Sequence, residues 1–438
     1  MKTDWLGNPV STDNDATLSG INDFSHGFLA YEEKALNILA AAEADPDCAI
    51  ANAWAAMLFM FSESREGPSL AAPFMAKAEA AAGNITDQEV AVIAAIRAWI
   101  DNDIPRAIAL TEEIANTYPH ELAILKAGQY HQFNLGNSPG MLRLITPALE
   151  ANADNPYVHG MAAFAFEQCH MLDKAEDAAW KAVDLQRKEP WAHHALAHIM
   201  LTQGRIEEGM RFFDEVRETW TDLNSFMFTH NWWHDAVFHI ARGNNDAALA
   251  IYDDHVWGKL KDYSQDQIGA VSLLARLELV GVDVGDRWQD VADYLKVRVD
   301  DHVQPFLTMQ YAYGLARAGR DEVDALLRSL RDFAVLAPDF QRSAWLEVAL
   351  PACEGLVAHA RGDWKIVVER LRPLTGRWLE IGGSHAQRDL FDLIYLDALI
   401  KSGGYVAAHN ILEQRHAWDA DSVPNNHALA TVHRLLGI

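Results

Sequence analysis

The segment Leu172–Ala178 reads Leu-Asp-Lys-Ala-Glu-Asp-Ala, and it aligns with Arg205–Arg211, Arg-Ile-Glu-Glu-Gly-Met-Arg, when Ala175 is placed on Gly209. The two small residues lie 34 positions apart, a period typical of repeated helix–turn–helix units. A small residue at this place lets one helix of a hairpin approach the next closely. The pair therefore predicts a chain built from repeated helical hairpins.

Helical periodicity continues along the rest of the chain. Apolar residues recur at helical spacing, as in Ala35, Leu36, Leu39 and Ala42, while the alternating runs typical of strands are scarce. Glycines that would end helices recur at Gly136, Gly204, Gly243, Gly281, Gly319, Gly362 and Gly403. Because such hairpins bury their apolar faces only by stacking, we expect an all-α, tetratricopeptide-like α-solenoid of antiparallel hairpins curled around a central groove.

The repeats differ in clarity along this superstructure, which we expect to cover residues 1–438 as one body. Residues 1–155 and 281–438 carry degenerate repeats, and residues 156–280 carry the clearest pair together with most of the clustered histidines. Function is therefore expected on the inner surface of the central segment.

Composition restricts the class of partner. The chain has 438 residues, 50% of them hydrophobic, and a net charge of −26, which would repel nucleic acid and anionic membrane surfaces. Its 3 cysteines lie far apart without a C-x-x-C spacing, which fits a reducing cytoplasm. We therefore expect a cytoplasmic protein whose partner is a small polar or anionic molecule, or a peptide or protein. The composition is also compatible with a homo-oligomer.

Three sequence blocks carry a resemblance to a known family. Trp191–His198 reads Trp-Ala-His-His-Ala-Leu-Ala-His, His230–His239 reads His-Asn-Trp-Trp-His-Asp-Ala-Val-Phe-His, and Gly382–Asp389 reads Gly-Gly-Ser-His-Ala-Gln-Arg-Asp. Together they resemble the signature blocks of the tetratricopeptide repeat protein 38 family, and weaker similarities extend over most of the chain. The resemblance implies a tetratricopeptide-like α-solenoid and assigns no reaction.

Clustered histidines are the main chemical signal. His194 and His198 are i,i+4 neighbours, as are His230 and His234, so each pair projects from one helical face. Neutral imidazole is a common ligand of transition metals, and the four histidines are therefore candidate ligands of a divalent transition-metal ion. The same rings suit general-base catalysis, for which we single out His194, His198 and His234.

A second interpretation of these histidines needs no metal. They would then bind an organic ligand directly or hydrogen-bond neighbouring helices, with Asn231, Trp232 and Trp233 forming the pocket wall. Glu167 and Asp389 are candidate ligand-binding carboxylates. Because adjacent residues on a helix point about 100° apart, at most one of the two tryptophans is expected to be buried.

The Gly-Gly block has a structural and a functional interpretation. Ser384 followed by Gln387 predicts a capping box at the start of a helix. His385 and Arg388 remain, and Arg388 could hold a carboxylate in a bidentate arrangement. We expect His385 to converge with both histidine pairs on one cavity.

Two functions fit these observations. The first is binding of a small polar or anionic ligand in a pocket rich in histidine and tryptophan, with general-base or metal-assisted chemistry on it. The second is a non-catalytic tetratricopeptide scaffold that binds a peptide or protein in an open groove. A closed pocket would favour the first function, and a long open groove would favour the second.

Overall fold

The computed structural model describes residues 1–438, and 76% of them are helical. Two short antiparallel strands, β1 (Lys2–Thr3) and β2 (Pro9–Val10), precede the first helix. The predicted all-α class is therefore confirmed.

The α-helices follow one another with short connections throughout the chain. They are α1 (Asp15–Ala30), α2 (Asn37–Ala44), α3 (Ala49–Met60), α4 (Gly67–Ala81), α5 (Asp87–Ile100), α6 (Ile104–Thr117), α7 (Leu122–Asn134), α8 (Ser138–Ala151), α9 (Pro156–Gln168), α10 (Leu172–Leu185), α11 (Pro190–Thr202), α12 (Ile206–Val216), α13 (Ser225–Ala241), α14 (Asn245–Ile251), α15 (Ser264–Leu279), α16 (Arg287–Leu295), α17 (Pro305–Arg317), α18 (Glu322–Leu336), α19 (Leu350–Arg361), α20 (Trp364–Leu371), α21 (His385–Ser402), α22 (Tyr405–Trp418) and α23 (Val423–Leu436).

Short helical turns of other kinds lie between several of these helices. The 3-10 turns are Glu33–Leu36, Ala82–Asn84, Arg217–Trp220, Lys296–Arg298, Arg372–Leu374 and Trp378–Ile381, and the π-helical turns are Tyr252–Val256 and Ala344–Ala349.

The chain divides into two compact units. The first unit comprises Met1–Phe133, Asn137–Ala195 and Thr219–Met227. The second unit comprises Asn134–Gly136, Leu196–Glu218 and Phe228–Ile438. Each unit has its own hydrophobic core, and these bounds do not coincide with the three segments drawn from the sequence. The reason is that those segments followed the clarity of the motifs, whereas the units follow apolar burial.

Helices within each unit pack as stacked hairpins. In the first unit α3 packs on α4, α5 on α6 and α9 on α10, and α3 also contacts α5. In the second unit α17 packs between α15 and α19, and α19 packs on α20. Contact of a helix with both its neighbour and the next but one is the pattern of a helical repeat.

The small residues that decided the fold have the expected packing role. Ala175 on α10 is fully buried. Gly209 on α12 faces the ring of Phe238, and a Cβ at Gly209 would lie 2.5 Å from that ring. Four residues further on in each segment, Ala179 and Phe213 are also buried.

The seven glycines predicted as breaks share one backbone conformation. Their φ angles lie between 67° and 88°, the left-handed region that favours glycine. Asn102 and His170 take the same conformation, with φ of 57° and 55°, two residues before α6 and α10. A left-handed residue therefore ends one helix and directs the chain into the next, whether or not it is glycine.

Helix α21 is placed next to α15, although the two are distant in the sequence. Its start carries the predicted capping box, in which the Ser384 side chain accepts from the Gln387 backbone and the Gln387 side chain accepts from the Ser384 backbone. The cap fixes His385 at the first turn of α21. This arrangement sets the position of the candidate site.

None of the helices combines the length and the apolar character that crossing a membrane requires.

Candidate functional site

Three histidines from two helices meet inside the second unit. His198 comes from α11, and His230 and His234 come from consecutive turns of α13. The ring centroids of His198 and His234 are 4.7 Å apart, and those of His230 and His234 are 4.9 Å apart. Each ring offers a nitrogen within 4.8 Å of the others, and all three side chains are buried. We refer to these residues as the histidine cluster.

His385 lies at the edge of the histidine cluster. Its ring centroid is 5.2 Å from that of His198, with the two planes at 84°. Its Nε2 is 3.0 Å from the hydroxyl of Thr202 on α11. His198, His230, His234 and His385 therefore converge within the second unit, because the packing of α21 joins the third sequence block to the first two.

His194 and Glu167 belong to the first unit. The His194 ring stacks on Trp191 with centroids 4.4 Å apart and planes at 16°. Glu167 is fully buried on α9, and its Oε2 accepts a hydrogen bond of 2.6 Å from Gln168. In the first unit His194 therefore takes part in an aromatic stack, and Glu167 has a local amide partner.

Burial favours the uncharged form of two rings of the histidine cluster, His230 and His234. It lowers the pKa of His230 to about 3, and the nearby His198 adds to this shift. Burial also lowers the pKa of His234 well below its usual value, with further contributions from His198 and His230. A neutral imidazole has one nitrogen that accepts and one that donates, which is also the form that binds a metal.

The two adjacent tryptophans of α13 point to different surroundings, as predicted. Trp233 is buried, and its ring lies parallel to that of His230 within 6°, with centroids 5.5 Å apart. Trp232 is half-buried and stacks on His255 at 3.9 Å. The amide of Asn231 is fully buried on the same helix. Trp233 is therefore the indole that belongs to the site.

The Asp389 carboxylate accepts hydrogen bonds from two arginines. Arg415 Nη1 donates to Asp389 Oδ1 at 2.6 Å, and Arg276 Nη1 donates to Oδ2 at 3.3 Å. Burial on its own would raise the pKa of Asp389, but the charges of Arg415 and Arg276 hold it below the usual range. The Arg388 guanidinium donates to the Gly383 carbonyl, five residues before it. Both residues therefore fix the start of α21.

A small cavity, partly open to solvent, lies beside His230 in the second unit. It is lined by His230, Trp233, Gln265, Ile268, Gly269, Ser272, Phe306, Gln310 and Gln387. Of these residues, only His230 and Trp233 were predicted from the sequence to belong to a ligand site. The missed glutamines and Ser272 come from α15, α17 and α21, and a buried glutamine in the apolar helix α17 was the one available signal.

Polar atoms without a hydrogen-bond partner gather at this cavity. Both side-chain atoms of Gln310, the hydroxyl of Ser272 and the indole Nε1 of Trp233 are buried and have no such partner. Buried polar groups are normally hydrogen-bonded, so these atoms mark a place for an additional molecule. The lining holds no Asp, Glu, Lys or Arg side chain, and the ring of His230 is neutral.

Compared with models of known protein families, the chain matches none.

Proposed function

We propose that the second unit binds a small, uncharged polar molecule in the cavity beside His230. The observation that carries this proposal is the amide of Gln310, which is 1% exposed and has no hydrogen-bond partner for its oxygen or its nitrogen. Leaving a buried polar group unsatisfied costs about 1–3 kcal/mol. A ligand that pairs with this amide would recover that free energy, which gives the cavity its affinity.

The unpartnered atoms define the chemistry of the ligand. Gln310 Nε2 and the Trp233 indole each donate, Gln310 Oε1 accepts, and the Ser272 hydroxyl can do either. A molecule that carries a donor next to an acceptor, such as an amide, a urea or a vicinal diol, satisfies all three side chains. Phe306 and Ile268 line the remaining wall and suit a short apolar part of the ligand.

The absence of charge in the lining favours a neutral molecule over the anionic one considered from the sequence. An anion would need a cation to offset the loss of its hydration. The nearest arginine described above, Arg276, has its guanidinium 5.5 Å from the Trp233 ring and donates to Asp389. Arg388 donates to the chain's own carbonyl group at Gly383. Neither arginine lines the cavity.

We further propose that the chain belongs to the tetratricopeptide repeat protein 38 family and lies in the cytoplasm. Support for the family comes from His198, His230 and His385, which stem from the three resembling blocks and lie in one region of the second unit. Support for the location comes from the three cysteines, all of them unpaired thiols. A scaffold for extended peptides is less well supported, because the unsatisfied groups gather in one small cavity.

The proposal can be tested by thermal shift with graded series of acetamide, urea, ethylene glycol and acetate derivatives. We expect the uncharged compounds to raise the melting temperature and the carboxylates to leave it unchanged. Gln310→Leu should remove the shift, and Ser272→Ala should weaken it. Gln129→Leu, which changes a buried glutamine of the first unit, is the matched control and should retain the shift. Stabilisation by carboxylates alone, or full binding by Gln310→Leu, would refute the proposal.

A further inference from the structure

The histidine cluster places three polar rings where packing alone would need only apolar side chains. His198, His230 and His234 bring three imidazole rings into one buried place, where apolar side chains would fill the same volume without polar atoms. Two of the rings come from the i,i+4 spacing on α13, and the third comes from α11. Ligands contributed by two packed helices are a common way to build a metal site in a helical protein.

We propose that His198, His230 and His234 bind a divalent transition-metal ion. Their nitrogens already lie within 4.8 Å of one another. Three imidazoles at the usual metal–nitrogen distance of about 2.0–2.1 Å would have nitrogens roughly 3.4 Å apart, so the rings need to close by at most about 1.4 Å. Rotation about the side-chain torsions supplies such a movement without shifting the helices.

The ligand set determines which metals fit. Imidazole nitrogens suit zinc, iron, copper and nickel, whereas magnesium and calcium prefer carboxylate and carbonyl oxygens. The three proposed ligands are all imidazoles, so the site favours the first group. A set of three protein ligands is typical of zinc sites that keep one position for water or substrate.

The surroundings of the histidine cluster are compatible with a bound cation. The Arg276 guanidinium lies 5.5 Å from the ring of Trp233 on α13 and donates to the Asp389 carboxylate at 3.3 Å. Asp389 also accepts from Arg415, so an acidic group stands between the two arginines. His385 meets the His198 ring edge-on, with centroids 5.2 Å apart, and its Nε2 is 3.0 Å from the Thr202 hydroxyl.

The metal site also explains why His230 lies where it does. His230 is the one member of the histidine cluster that lines the cavity, so a ligand bound there would lie beside the metal. The metal proposal does not depend on that ligand, because it rests on the geometry of three rings. The two sites can be separated experimentally through residues that belong to only one of them.

Metal analysis of the full chain, purified without chelator and with any affinity tag removed, tests the proposal. We expect about one equivalent of zinc, iron, copper or nickel. Metal-free protein titrated with cobalt(II) should develop the visible absorption of a low-symmetry histidine site. His198→Ala and His234→Ala should each lose the bound metal and weaken cobalt binding by about 100-fold or more, since removing a ligand exceeds the 10–100-fold effect of a supporting residue.

The matched control is His302→Ala, because His302 is also a buried histidine of the second unit, with its Nε2 at the Ser329 hydroxyl. This variant should keep the metal. If an alanine variant does not fold, His198→Gln and His234→Gln, checked by circular dichroism, take its place. Gln310→Leu should keep the metal while losing the cavity ligand, which separates the two proposals. Folded protein that contains no metal and gives no cobalt absorption would overturn the metal site.

Discussion

The imidazole rings of His198 and His234 lie with their centroids 4.7 Å apart, although they come from different helices of the second unit. Both side chains are buried, so each ring replaces solvent around the other. We predict that their substitutions are coupled in metal-free protein, with a double-mutant interaction free energy of about 1 kcal/mol for His198→Ala and His234→Ala. Urea unfolding of the wild type, the two single variants and the double variant measures it. Additive effects would mean that the contact has no energetic role.

Asp389 should be among the most sensitive positions of the second unit. It accepts hydrogen bonds from Arg415 and Arg276, so Asp389→Ala leaves both guanidinium groups without their carboxylate. Arg276 is buried, whereas Asp389 and Arg415 are half-buried, so we expect a cost of roughly 2–3 kcal/mol, below the about 3–5 kcal/mol of a fully buried pair. Chemical denaturation should show a loss of that size. Replacing the whole group by Asp389→Leu, Arg276→Met and Arg415→Met should recover much of it, and equal instability of the triple variant would contradict the explanation.

The buried carboxyl group of Glu121 should make the stability of the first unit depend on pH. Burial raises its pKa from 4.5 to about 8, with a further rise from Asp4, while Gln88 donates to its Oε1 at 2.8 Å. The folded state therefore keeps a proton that the unfolded state loses above pH 4.5. The stability linked to this group is complete below that pH and falls as the pH rises towards 8.

We therefore expect Glu121→Gln to be more stable than the wild type at pH 8 and nearly equal to it at pH 4. Each pKa unit corresponds to about 1.4 kcal/mol, so the gain at pH 8 should be easy to detect. Melting temperatures across this pH range provide the measurement. Glu113→Gln, at an exposed position, is the control and should follow the wild type. A parallel pH profile of Glu121→Gln and wild type would show that Glu121 is ionised in the folded protein.

Two glycine substitutions should separate steric conflict from backbone strain. In Gly319→Ala the new Cβ has nothing within 4 Å, but φ is 67°, so we expect a cost of about 1–2 kcal/mol from the left-handed backbone alone. In Gly209→Ala the Cβ would meet the Phe238 ring at 2.5 Å, and overpacking of this kind costs about 1–3 kcal/mol. Adding Phe238→Leu should relieve the second cost and leave the first unchanged. Thermal unfolding of the variants distinguishes the two mechanisms.

Local features could be predicted well from the sequence. The glycine breaks and the capping box at Ser384 depend on a few neighbouring residues, and the structure confirms both. The packing role of Gly209 followed from a repeat of one hairpin period, and its contact with Phe238 confirms that role. The spacing of His230 and His234 likewise determined which rings share a helical face.

Contacts between helices that are distant in the sequence could not be predicted from it. Gln310 and Ser272 line the cavity because α15 and α17 pack together. No short sequence motif predicts that contact. Arg388 resembled an anion-binding residue in the sequence, yet its guanidinium donates to a carbonyl at the start of its own helix. The sequence shows which side chains are polar, but their hydrogen-bond partners depend on how distant helices pack.

Trp233 gives the second unit a built-in optical reporter. Its indole lies face to face with the His230 imidazole, the planes differing by 6°. Copper(II) or nickel(II) bound by that imidazole would quench the indole fluorescence at such short range. A molecule hydrogen-bonded to the indole Nε1 would shift the emission wavelength. The chain has 14 tryptophans, so the difference between wild-type and Trp233→Phe emission isolates this one signal. Occupancy of the metal site and of the cavity could thus be followed by intrinsic tryptophan fluorescence, without a label.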